Sequence, residues 1–151
     1  LIEALLKSGA VLTVLDPKRA DLSDLAAVMP NVYYDVDDMI RELNIFYEEM
    51  LDRTEVIKQM PDYQTGVNYA YVGLEPHFLI FDEYVAFMEM VGRKREEVLA
   101  VMRKIAMLGR QAGYFLILAC QRPDAKYFAD GMRDQFNLRL RWGKIPRWGT
   151  V

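Results

Sequence analysis

The sequence predicts an α/β fold, a mostly parallel sheet with helices on both faces. Three observations point to it. Short apolar runs, "AVLTVLD", "HFLIF" and "YFLILAC", alternate with stretches of helical period. The runs are continuously apolar rather than alternating, as strands covered on both faces are. Each also gives way to polar residues: Asp16-Pro17-Lys18-Arg19, Asp82-Glu83, and Gln121-Arg122-Pro123. Ligands on such sheets bind outside the carboxyl ends of the strands, so these three strand ends are the candidate site.

In chain order, "LIEALLKSG" reads as the last turns of a helix stopped by Gly9. It opens without a capping residue, as a segment cut from something longer does. "AVLTVLD" is a strand ending at Asp16-Pro17. "DLSDLAAVM" reads as a short helix capped by Asp21, and "NVYY" as a short strand. From Asp35 to Met60, apolar residues at Val36, Met39, Ile40, Leu43, Phe46, Tyr47, Met50 and Leu51 mark one face of a long helix. Its first turn is acidic, as the helix dipole favours. Residues 61–76 carry Pro, Gly and Asn without a period and read as a loop.

"HFLIF" is the next strand. A short helix, Gly92 and a longer amphipathic helix stopped by Gly113 follow. "YFLILAC" is a strand, "QRPD" a turn, "AKYFADGMRDQF" a helix and "NLRLRW" a last strand, whose Arg-Leu alternation suits a sheet edge.

The bulk composition sets bounds. A chain of 151 residues, 52% hydrophobic and 27% charged, suits one soluble domain. No run approaches the ~20 apolar residues that span a bilayer, and "LIEALLKSGA" lacks the pattern of a signal peptide. One cysteine, Cys120, allows no internal disulfide, which suits a reducing cytosol. Lying in an apolar run, it reads as a buried, inert thiol. With one His (His77) and one Cys, no His/Cys metal site can be assembled; His77 reads as a polar strand-end residue. Tyr63, Tyr69 and Tyr71 read as packing the 61–76 loop to the body, with base stacking as the alternative. Trp142 and Trp148 read the same way.

Net charge is −3, so nothing global marks a nucleic-acid binder. The distribution is uneven: residues 35–62 hold nine acids against three bases, and residues 126–151 hold six bases against two acids. Two solvated faces account for this; a basic end facing a polyanion is the alternative.

Four apolar residues followed by Asp-Glu form the pattern called Walker B. Asp82 would hold the Mg²⁺ of a bound nucleotide through water, because Mg²⁺ takes hard oxygen ligands and keeps part of its shell. Glu83 would polarise a water for attack on the terminal phosphate. An amide directly after a strand, Gln121, can touch both phosphate and water; read alone, it is a turn residue capping the next helix.

Together "DPKRADLSDL", "FLIFDEYVAFM", "LGRQAGYFLILACQRPD" and "RDQFNLRLRWG" resemble the motor domain of FtsK/SpoIIIE-type DNA translocases, with the coupling-type members of conjugative elements the nearest in flavour. The resemblance covers most of residues 10–142. It implies a RecA-like P-loop NTPase fold, a three-layer sandwich, with ATP and Mg²⁺ as cofactors. It implies Asp82 as the magnesium residue, Glu83 as catalytic base and Gln121 as polar sensor. Asp16 and Lys18 fall in the family's aspartate-proline-lysine turn, near the nucleotide or a neighbouring subunit. Such motors are hexameric rings whose site is completed by an arginine from the next subunit; Arg53, Arg110 and Arg122 are the candidates for inter-subunit or nucleotide-proximal roles. Double-stranded DNA is the implied partner, with a relaxase or other transfer protein as a further class. Implied too is a cytoplasmic domain of a protein anchored to the bacterial inner membrane by segments outside this chain.

One element of the family pattern is missing. The phosphate loop, G-x-x-x-x-G-K-[ST], should precede the first helix, yet the nine glycines include no Gly-Lys-Ser or Gly-Lys-Thr. The strand before that loop is missing as well, and its family position lies between "YFLILAC" and the last strand. Residues 1–151 are therefore expected to form one partial motor domain with an unpaired strand edge, binding ATP weakly or not at all. "KIPRWGTV" resembles the family's closing strand but arrives early. Two other classes stay open: a non-enzymatic scaffold derived from such a motor, and a carboxylate-metal phosphoryl-transfer enzyme or nuclease. Chromosome partitioning, conjugation and protein secretion by a related pump are not distinguished by the sequence.

Overall fold

The computed structural model describes residues 1–19, 27, 29–121 and 127. Four strands form one all-parallel sheet in the order β2-β1-β3-β4: β1 (Val11–Leu15), β2 (Val32–Tyr33), β3 (His77–Phe81) and β4 (Tyr114–Leu118). The helices are α1 (Ile2–Lys7), α2 (Val36–Lys58), α3 (Tyr84–Met90) and α4 (Arg95–Ala112), with a 3₁₀ turn at Gly92–Lys94. The anticipated helix near 21–29, the helix near 125–136, the last strand and the basic tail with Trp142 and Trp148 lie outside the described residues.

The alternation of side chains along each strand divides the sheet into two apolar faces. Leu15, Leu79, Phe81 and Tyr114 point to the face covered by α2, α3 and α4; Leu12, Val14 and Ile80 point to the face that α1 touches through Ile2 and Leu5. The helical spacing of α2 explains why it lies flat on the sheet: Met39, Leu43, Phe46, Met50 and Ile57 are all buried. Its start is fixed by Asp35, whose carboxylate accepts from the backbone N–H groups of Asp37 and Asp38. Phe46 meets Tyr114 edge to face at 4.8 Å, joining α2 to β4.

The end of α4 is held at closer range. Gly113 closes the helix with φ of +82°, a left-handed cap that returns the chain into β4. This reversal lays the Tyr114 carbonyl directly over Gly109, where a Cβ would overlap its oxygen. The loop 61–76 packs over the same corner. The Tyr69 N–H donates to the Gln111 carbonyl, and the Tyr69 ring meets Phe115 at 5.9 Å. Tyr69 therefore packs the loop to the body, but Tyr71 does not, being 76% exposed.

Two elements are shorter than their sequence patterns. The "NVYY" strand is reduced to Val32–Tyr33, and β4 ends at Leu118. Cys120 thus lies beyond the strand, half-buried against the core edge rather than inside it. Among the described residues β4 pairs on one side only, with β3.

Candidate nucleotide-site rim

Parallel register decides which strand ends meet. Leu15 lies level with Phe81, and Phe81 with Leu118, so Asp16, Asp82 and Ala119 leave the sheet on one rim. The ladder continues past the strands: Asp82 N–H donates to Leu15 C=O at 2.9 Å, and Ala119 N–H to Phe81 C=O at 2.9 Å. Tyr84 N–H then donates to Ala119 C=O at 2.7 Å. Asp16, Asp82, Glu83 and Gln121 are thus gathered on one rim.

Each strand end has its own geometry. Asp16 is fully buried, its N–H donating to Tyr33 C=O at 2.8 Å and its carboxylate accepting from Lys18 N–H at 3.2 Å. That second bond is an Asx-type turn, which fixes the path of Lys18. Glu83 sits in the left-handed region (φ 57°, ψ 62°), unusual for a side-chain-bearing residue. Its carboxylate reaches both neighbours: one oxygen accepts from Gln121 N–H at 3.3 Å, the other faces Lys18 Nζ at 3.4 Å. Three strand ends are joined through one carboxylate.

The chain as a whole is similar to known proteins. The chain is 51% identical, over 99% of its length, to "Ftsk domain-containing protein YdcQ" of Bacillus subtilis (strain 168). This likeness bears out the resemblance to FtsK/SpoIIIE-type proteins. It spans 32% of that relative's length. No protein-family model matches it. Among solved structures, the pCW3 conjugation coupling protein TcpA with ATPγS superposes with a TM-score of 0.69 at 23% identity, over 89% of this chain and 41% of that one. EccC of Thermomonospora curvata (ATPases 2 and 3, with a signal sequence peptide) superposes at 0.60 and 16% identity, over 83% and 24%. These likenesses show the fold: the segment has the RecA-like α/β architecture of those neighbours.

The other residues singled out in the sequence lie elsewhere. Arg53 is at the opposite rim, near the amino end of β3. Its guanidinium, 14% exposed, donates to Glu75 C=O at 2.7 Å and Glu75 Oε1 at 3.0 Å, and contacts His77 Nε2 at 2.8 Å. It also lies 5.0 Å from the centre of the Tyr114 ring. Arg53 is thus engaged within its own chain, and His77 is a polar strand-end residue in that cluster. Glu75 is held down to about 2 from its ordinary 4.5, by its own backbone N–H first, then by His77 and Arg53. Arg110 is exposed in the last turn of α4, again toward the amino end of the sheet. Neither arginine meets Asp82 or Glu83 in this chain, and Arg122 lies outside the described residues.

A buried network behind the rim went unseen in the sequence. Tyr84, directly after Glu83, donates its hydroxyl to Tyr127 C=O at 2.6 Å, and Tyr127 donates to Glu89 at 2.6 Å. Burial pushes the Tyr84 hydroxyl well above its ordinary pKa, keeping it a donor. Arg95 covers the Tyr127 ring at 5.4 Å. Its members are 43 and 38 residues apart, so no local spacing could have announced them.

The rim's donor set is hard oxygen with one ammonium, which suits Mg²⁺. Among the described residues, no three His, Cys, Asp or Glu side chains come together as a cage for a metal by themselves. Mg²⁺ rarely needs one: it binds one or two carboxylates and completes its shell with water and substrate phosphates. The residues present fit the protein side of a metal–nucleotide site.

Proposed function

We propose that this segment supplies the carboxylate half of the nucleotide site in an ATP-driven, ring-forming pump of double-stranded DNA. The observation that carries the proposal is the shared rim, where the ends of β1, β3 and β4 meet through the Glu83 carboxylate. Identity to an FtsK-domain protein and the fold of ATP-hydrolysing motors support it.

Asp82 would hold Mg²⁺ through water, and bound Mg²⁺ supplies charge neutralisation at the phosphates. Glu83 accepts the proton of the attacking water, and the Gln121 side chain orients that water. Buried Asp16 fixes the turn that carries Lys18 to the rim. The phosphate loop comes from outside these 151 residues, and an arginine comes from a neighbouring copy of the ring, a hexamer. DNA is gripped through its phosphates, so binding is salt-sensitive and largely independent of sequence. Conjugative transfer is the favoured process, with a relaxase or similar transfer protein as partner. The domain works in the cytoplasm, tethered to the bacterial inner membrane by other segments of its protein.

The test is Glu83→Gln in the full-length protein. Hydrolysis should be abolished while nucleotide binding, measured by calorimetry, is retained; unchanged turnover removes Glu83 from the mechanism. The 151-residue chain by itself should not bind ATP tightly, and saturable micromolar binding would show that the phosphate contacts lie within it. The likeness to EccC, a Type VII secretion ATPase, favours a second reading, a pump of protein. Stimulation of hydrolysis by duplex DNA supports the first reading, and stimulation by a protein substrate with indifference to DNA the second.

A further inference from the structure

We infer that Lys18 is the positioning residue of Glu83, holding its carboxylate across the rim between the ends of β1 and β4. The inference rests on the proposed role of Glu83 as the base.

The chain of restraint starts at buried Asp16, whose carboxylate accepts the Lys18 N–H at 3.2 Å and so sets the backbone from which Lys18 extends. The Lys18 ammonium stands 3.4 Å from one Glu83 oxygen; the other oxygen takes the Gln121 N–H at 3.3 Å. Glu83 itself has a single backbone path. Its neighbours on both sides are pinned, Asp82 N–H to Leu15 and Tyr84 N–H to Ala119. Its own left-handed conformation is strained for a residue with a side chain and persists only where surroundings impose it. No cap bond from the Glu83 side chain to α3 accounts for this geometry. What the left-handed turn achieves is to send the carboxylate sideways to Lys18 and Gln121.

Exposure separates orientation from stability. The Lys18 side chain is 50% exposed and that of Glu83 13%. An ion pair with one partner so open to water adds little to folding. It still decides where a carboxylate at the end of a flexible side chain points. An ionised carboxylate has about four acceptor sites, so these two contacts leave others open to a water. Lys18 can therefore aim the base without occupying it. Misplacement of a reacting group by about 1 Å can cost on the order of 10²-fold in rate.

The test compares Lys18→Met, Lys18→Arg and Glu83→Gln in the full-length protein. The readouts are kcat and KM for ATP, and exchange of the Gln121 backbone amide without nucleotide. Lys18→Met should lower kcat about tenfold or more while KM changes less than about threefold, the signature of an interaction realised in the transition state. Lys18→Arg, which keeps the charge and the reach, should recover most of kcat. The Gln121 amide should exchange several-fold faster in Lys18→Met than in wild type, because its carboxylate acceptor loses its second tether. An unchanged kcat, an unchanged amide, or a tenfold rise in KM at constant kcat overturns the inference, the last because Lys18 would then serve nucleotide binding alone. Hydrolysis surviving in Glu83→Gln overturns the proposed function, and the inference with it. Hydrolysis lost in Glu83→Gln but intact in Lys18→Met overturns the inference only.

Discussion

Gly109→Ala should destabilise this protein, although glycine is the poorest non-proline residue for a helix interior. Replacing it with alanine normally gains about 1 kcal/mol through backbone entropy. Here the added methyl would overlap the Tyr114 carbonyl oxygen, and stand 3.1 Å from the carbonyl carbon and 3.4 Å from Tyr114 Cβ. The obstacle is backbone at the start of β4, held by Gly113 behind it and the β3 ladder beside it. It cannot rotate away as a side-chain tip would. Overpacking of this kind costs about 1–3 kcal/mol, and against fixed backbone the upper end applies. The net loss is about 2 kcal/mol, or roughly 4–8 °C in Tm for a domain of this size. Two companions isolate the terms by thermal denaturation. Gly66→Ala meets only the strain of φ +96°, with nothing within 4 Å; Gly113→Ala combines φ +82° with the Tyr69 ring at 2.5 Å. The expected order of loss is Gly66→Ala, then Gly109→Ala, then Gly113→Ala. A Gly109→Ala protein as stable as wild type would refute the close approach of α4 to β4 on which this corner is built.

Acid should weaken the amino rim. Glu75 has its carboxyl held to about 2 against an ordinary 4.5, so its stabilisation is present above pH 4.5 and fades as pH falls toward 2. Its side chain is 45% exposed, so screening holds the effect to about 1 kcal/mol or less, and Glu75→Gln should flatten that limb of a Tm-against-pH curve. Tyr84→Phe should cost about 1 kcal/mol in chemical denaturation by removing the buried hydrogen bond from its hydroxyl to the Tyr127 carbonyl; an unchanged midpoint would mean that this bond adds nothing to stability.

The layered α/β arrangement was legible because its causes are local. The apolar period of α2, the glycine after α4 and the apolar runs of β1 and β3 each report one element's burial, whereas β4, equally apolar in sequence, buries only Tyr114 fully. The strand-end residues were legible too, since polar residues directly after a buried strand have one direction in which to emerge. What stayed hidden depends on pairs far apart in the chain. Arg53 looked like a helix-surface arginine free to reach a neighbour. Its partners, Glu75 and His77, lie 22 and 24 residues on, in a loop without period and at a strand start. The left-handed turn at Glu83 was equally hidden, because Glu carries no propensity for that region. Within "LGRQAGYFLILACQRPD", the first glycine has a physical reason that the sequence did not show, the Tyr114 carbonyl lying over Gly109.

The two rims of the sheet have opposite characters, and this argues for where chemistry takes place. At the amino rim, Arg53 is nearly buried, satisfied by Glu75 and His77, and covers Tyr114. Such a cluster resists change and fastens α2 to β3 and β4. At the carboxyl rim, a fully buried carboxylate, a left-handed glutamate and a half-exposed lysine stand together. That combination is a poor device for stability: the ion pair is open to water and the turn is strained. It suits the metal–nucleotide role proposed above, in which the carboxylates would face a cation and not the phosphates themselves. Behind it, Tyr84 ties the first residue of α3 to Tyr127, beyond Gln121 in the chain. Glu83 and its neighbour Tyr84 are thus bonded directly to Gln121 and Tyr127, so the β3 end and these two residues beyond β4 are held as one unit.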